Sequence, residues 1–103
     1  MTRYLILYRS DPEAIASMPE QTPEQAAEMT AAWNGWAERT GRAIIDFGAP
    51  TVPRSPGADP GVGGYSILEF DSPEALDESL AGHPHIASGG TIDVFELQPI
   101  PGM

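Results

Sequence analysis

Apolar residues fall along the chain in short runs and longer periodic stretches that predict six elements, in the order strand, helix, strand, strand, helix, strand. Residues Arg3 to Arg9 enclose Tyr4, Leu5, Ile6, Leu7 and Tyr8 and are closed by Ser10, Asp11 and Pro12, the pattern of a buried strand. After a loose stretch, Thr22, Pro23 and Gln25 offer an N-cap, a proline at the first helical position and the partner of a capping box. In the helix this predicts, Ala26, Met29, Trp33, Trp36 and Ala37 share one stripe, Glu24, Glu28 and Glu38 lie off it, and Gly41 is the stop. Ala43 to Gly48 is too short for a helix and rich in strand formers, and alternation puts Asp46 on the same face as Ile44. From Ala49 to Gly64, repeated Pro and Gly can sustain neither a helix nor a central strand. That length marks a mobile loop and a candidate lid. Gly64 to Phe70 is the third strand, Ser72 and Pro73 start a short helix holding Leu76 and Leu80 that Gly82 and Pro84 end, and Thr91 to Leu97 is the fourth strand.

This βαββαβ order predicts an α+β fold of the ferredoxin-like kind: a four-stranded antiparallel sheet with two helices on one face. The first strand is apolar at nearly every position, and in the third Tyr65 and Ile67 on one side compete with Leu68 and Phe70 on the other. Both sheet faces therefore call for cover, and two helices cover only one. A homodimer packed sheet against sheet is the expected solution.

Composition narrows the functional classes. At 103 residues the chain suits a single domain, 1–103, and its 41% apolar content, with two Trp, three Tyr and three Phe, suffices for a core without staples. The absence of cysteine removes disulfides, thiolate nucleophiles and Cys-ligated metals. Fifteen acidic against five basic side chains leave a net charge of −10, so nucleic acid and anionic lipid are not expected partners. No apolar run approaches the roughly 18 residues of a membrane span, and Met1, Thr2 and Arg3 before Tyr4–Tyr8 do not form a signal peptide, so a cytoplasmic location is expected.

Several stretches carry a resemblance: Tyr4 to Tyr8, Trp33 to Trp36 ahead of Gly41, Gly63 to Leu68, Ser72 to Leu76, His83-Pro84, and Gly89 to Val94. In order and spacing they resemble the YCII-related family, similar in turn to muconolactone isomerase and antibiotic-biosynthesis monooxygenases. The resemblance covers most of the chain and implies a dimeric α+β barrel. Two departures stand out. Better-known members pair a His on the first helix with a downstream Asp, whereas Trp33 occupies that helical position here. The branch with an Asp-Gly-Pro-Phe motif before the third strand shares the Trp pair, but the corresponding segment reads Ala58, Asp59, Pro60, Gly61.

His83 is the first candidate for catalysis, because an imidazole titrates near neutrality and because it matches the family's His-Pro. Its plainer role is a cation capping the C-terminal end of the second predicted helix. His85 could form a metal pair with it, but no third ligand follows, so no metal and no cofactor are expected. Asp46 is the second catalytic candidate: among Ile44, Ile45 and Phe47, an unpaired buried carboxylate would have its pKa raised and suit proton transfer. An ion pair with Arg9 or Arg42, or an exposed strand end, is its alternative. Sharing a cleft, His83 would move the proton while Asp46 orients it. Substrate-binding candidates are the Tyr8 and Tyr65 hydroxyls, Arg9 for a carboxylate, and Trp33, although Trp33 and Trp36 at helical spacing read first as core or dimer anchors. Ser88, Gly89 and Gly90 lack the lysine and the following helix of a phosphate loop and read as a turn.

The expectation is a small homodimeric enzyme or ligand-binding protein using His/Asp acid–base chemistry on a small organic molecule. Fold-level analogy adds isomerase, lyase or cofactor-independent monooxygenase as classes. The alternative is a non-catalytic dimerisation or protein-interaction module in which His83 is only a cap.

Overall fold

The strands fall close to the apolar runs. In the computed structural model, which describes residues 1–102, β1 spans Thr2–Arg9, β2 Ile44–Asp46, β3 Val62–Phe70 and β4 Thr91–Glu96. All neighbours pair antiparallel in the order β2-β3-β1-β4, the ferredoxin-like arrangement. Between them run α1 (Pro12–Ser17), α2 (Pro23–Thr40), α3 (Pro73–Leu80) and α4 (Pro84–Ala87), with a 3₁₀ turn at Gly41–Ala43.

Two of these helices lie where no helix was expected, and one sequence device explains all four. Asp11-Pro12, Thr22-Pro23, Ser72-Pro73 and His83-Pro84 each place a capping side chain before a proline at the first helical position. Asp11 and Pro12 do end β1, but they also begin α1: the Asp11 carboxylate accepts the Glu13 N–H at 3.0 Å. Likewise Pro84 does not simply stop α3; it opens α4. The capping box at Thr22 and Gln25 is present in both directions.

One face of the sheet carries the core. Tyr4, Ile6 and Tyr8 of β1 and Leu68 of β3 pack against Trp36 of α2 and Leu76 and Leu80 of α3, with Trp33, Ala37, Ile44, Phe70 and Ile92 around them. Trp36 has no exposed surface, and its indole N–H donates to the Ser79 carbonyl at 2.9 Å, tying α2 to α3. Each such fully buried side chain contributes about 1.5–3 kcal/mol.

Strand pairing places Leu5, Leu7, Tyr65, Ile67 and Phe95 on the opposite face, where no helix lies over them. Phe95 is 52% exposed there. Among the described residues no helix is long and apolar enough to cross a membrane.

The Pro/Gly segment after β2 is held rather than free. Pro50 bridges Gly64, Thr51 bonds to the Gly63 carbonyl through its N–H and to the Val62 carbonyl through its hydroxyl, and Ser10 N–H donates to the Gly61 carbonyl at 2.8 Å. The loop therefore prolongs the β2–β3 hairpin, and its first residues reach the site described next.

Candidate functional site

On the helix-bearing side, near the β2–β3 connection, a cavity of about 270 Å³ is walled by Tyr8, Trp33, Phe47, His85 and the segments 48–50 and 63–65. Aromatic rings dominate the wall: Trp33 meets Tyr8 edge-on with centroids 5.0 Å apart and lies 6.1 Å from Phe47. Trp33 is thus both a core neighbour and a cavity wall.

His85 is the titratable nitrogen of this wall, and its surroundings fix its tautomer. Its Nε2 lies 2.7 Å from the Arg9 carbonyl oxygen, which can only accept, so Nε2 carries the proton. In the neutral ring Nδ1 is then the lone-pair nitrogen, without a partner among the described residues and not buried. Gly90 permits this placement, since a Cβ there would stand 2.2 Å from the His85 Nε2. The backbone holds too: the Gly90 N–H and the Ser88 hydroxyl both donate to the His85 carbonyl.

His83 occupies a different position from the one expected of it. It is fully buried, stacked 5.2 Å from Tyr8 and met edge-on by Trp33 at 4.7 Å and Trp36 at 4.5 Å, and it is not in the cavity wall. It caps the N-terminal end of α4, its Nδ1 accepting the His85 N–H at 3.0 Å, so the cationic C-terminal cap of α3 is ruled out. Burial first, then the nearby His85 and Arg39, pushes its pKa down to about 4. Neutral His83 carries its proton on Nε2, a buried donor without a partner among the described residues.

Asp46 lies on the other side of the sheet. A register irregularity between Ile44 and Asp46 pairs Ile44 with Leu68 but Asp46 with Ile67, so the acid does not share the face of Ile44. It is exposed, accepts the Tyr65 O–H at 2.8 Å and the Gly48 N–H at 2.8 Å, and pairs with neither Arg9 nor Arg42. The burial argument for it as a proton carrier therefore lapses, and the sheet separates it from His83. Tyr65 follows it: paired with Leu7, its ring faces the open side, and the bond to Asp46 raises its pKa.

The other binding candidates are also engaged. The Tyr8 hydroxyl donates to Ser66 Oγ at 2.8 Å, and Ser66 in turn donates to the Phe47 carbonyl at 2.6 Å. Burial raises the Tyr8 pKa, partly offset by the Ser66 bond. Arg9 is held by Asp59 and, at 3.5 Å, by Asp93, which leaves its guanidinium committed to protein carboxylates. The Asp59 carboxyl is held below its usual range, chiefly by the Gly61 N–H and then by Arg9. Among the described residues no three His, Cys, Asp or Glu side chains gather as metal ligands, and one ring nitrogen of each histidine is engaged by a separate backbone group.

Sequence reasoning missed His85 as a site residue, along with Phe47 and Ser66. The legible signal for His85 was His83-Pro84, the same cap-and-proline pair that begins α2 and α3, which places the second residue after the cap in the first turn of a new helix.

Similar folds occur in solved structures. The 5-chloro-2-hydroxyhydroquinone dehydrochlorinase (TftG) of Burkholderia phenoliruptrix AC1100, in complex with 2,5-dihydroxybenzoquinone, aligns with a TM-score of 0.60 and 20% identity over 93% of each chain. The Arabidopsis thaliana protein At3g17210 aligns with a TM-score of 0.52 and 15% identity over 100% of this chain and 99% of its own. No curated protein matches the sequence. The family model of the YCII-related domain matches residues 2–100, and with that extent of agreement the chain belongs to the YCII-related family.

Proposed function

We propose that this protein is a small-molecule enzyme of the acid–base type, in which a compact ring substrate sits in the aromatic cavity and His85 Nδ1 takes a proton from it and returns it. The observation that carries the reading is the Nε2 bond of His85 to the Arg9 carbonyl, which leaves Nδ1 as the lone-pair nitrogen of the neutral ring on a residue that lines a cavity of about 270 Å³. That volume suits a single substituted ring, since a dry cavity of roughly 150 Å³ accepts benzene. In an isomerisation the proton is returned at another atom of the ring; in an elimination it is not returned to the substrate but leaves the site with the departing anion. The Burkholderia neighbour, a dehydrochlorinase of a hydroxylated ring, supports that choice of class. His83 acts here as a positioning residue, holding the backbone of His85, while Asp46 belongs to the open sheet face. That face, with Leu5, Leu7, Ile67 and Phe95, takes a second copy of the chain, so the working unit is a homodimer.

A panel of small cyclic ketones, enones and hydroxyarenes tests the site by ligand-observed NMR and by deuterium exchange at substrate carbon. Binding that weakens in Trp33→Ala, with exchange lost in His85→Phe, is the expected outcome. Hits indifferent to both substitutions would place the chemistry elsewhere.

A further inference from the structure

The hydrogen-bond polarity of the cavity says more than its shape. Tyr8 has given its hydroxyl proton to Ser66, Tyr65 has given its own to Asp46, and the His85 Nε2 proton is held by the Arg9 carbonyl. Among the wall's side chains the indole N–H of Trp33 is the donor left over, and His85 Nδ1 is the nitrogen left to accept. The residues that line the cavity include no Lys or Arg: Arg9 lies on the opposite face between Asp59 and Asp93, and the chain carries a net charge of −10.

We propose that this cavity selects an uncharged, planar, hydroxyl-bearing ring, whose O–H is donated to His85 Nδ1, and discriminates against carboxylates and phosphates. The proposal rests on the cavity being the site, as argued above, and adds the charge and donor character of what enters it. Trp33, Tyr8 and Phe47 supply flat apolar contact to the ring. A carboxylate brings only acceptors, which the Trp33 indole N–H can meet but the His85 Nδ1 lone pair cannot, and it would lose hydration with no Lys or Arg in the wall to replace it. This reverses the expectation that Arg9 holds an acidic substrate.

The test is a comparison of hydroquinone, benzene, benzoate and phenyl phosphate at pH 7.5 and constant ionic strength, read by titration of the His85 and Trp33 NMR signals. Hydroquinone is expected to bind at least about tenfold more tightly than either anion and than benzene, the factor that one hydrogen bond of ~1.4 kcal/mol supplies. His85→Phe should remove that advantage over benzene. His85→Gln, which keeps a donor for the Arg9 carbonyl and an acceptor amide oxygen, should retain most of it. Benzoate binding as tightly as hydroquinone would overturn the charge selectivity, and benzene binding as tightly would overturn the hydroxyl contact; both leave the cavity as the site. If no probe moves either signal, the site reading falls together with this one.

Discussion

His83 is held neutral because three aromatic rings surround it and its Nδ1 is occupied by a backbone N–H. Its folded pKa of about 4 lies below the 6.5 of a free imidazole, so between these values the unfolded chain binds more protons. Stability from this residue is complete above pH 6.5 and is lost progressively as the pH falls towards 4. The interval corresponds to roughly 3 kcal/mol. Urea denaturation between pH 7 and pH 4 should reveal the loss. His83→Asn, which keeps a capping acceptor without a titrating group, should be less stable at pH 7 yet lose less on acidification. An equal loss in both proteins would assign the effect to other groups. The sequence singled out this histidine as an acid–base candidate or a cationic helix cap; its neutrality follows from packing that no local pattern encodes.

At the scale of elements, the connection from β2 to β3 shapes the cavity. Gly48 adopts a φ of 88°, and a Cβ there would stand 1.6 Å from the Tyr65 carbonyl oxygen. Gly48→Ala must therefore both strain the backbone and push the two strands apart. A loss of at least ~2 kcal/mol in urea denaturation is expected, with weaker ligand binding in whatever fraction folds. Stability within about 0.5 kcal/mol of the wild type would show that this turn is not tightly built. The turn also explains why Asp46 was misplaced: strict alternation put it beside Ile44, and the irregularity in β2 moved it to the other face. Pairing decides such a shift, because the extra residue is tolerated only where a partner strand can absorb it.

At the scale of the whole molecule, an apolar sheet face lies uncovered in the single chain. Leu5, Leu7, Ile67 and Phe95 are flanked by the Arg3–Glu69 and Arg9–Asp59–Asp93 charge groups, the layout of an interface with an apolar centre and a polar rim. Light scattering should give twice the 11.0 kDa chain mass for the wild type. Replacing Ile67 and Phe95 together by Glu should give the single-chain mass, because each buried acid opposes association by several kcal/mol. Unchanged mass in that variant would direct attention to another surface. The helix-side core is untouched by the change, so far-ultraviolet circular dichroism should be retained.

Local rules determined the strands, the two long helices, their caps and the antiparallel ferredoxin-like order, because apolar periodicity and cap-proline signals act over a few residues. The same rules contained α1 and α4, whose Asp-Pro and His-Pro starts doubled as stops for the preceding elements. Tertiary structure decided the site. It placed His85 rather than His83 at the cavity wall, turned Arg9 and Asp46 to the opposite face, and committed the tyrosine protons to Ser66 and Asp46. Those outcomes depend on which residues meet across strands and helices far apart in the chain, and on which hydrogen-bond partner each finds there.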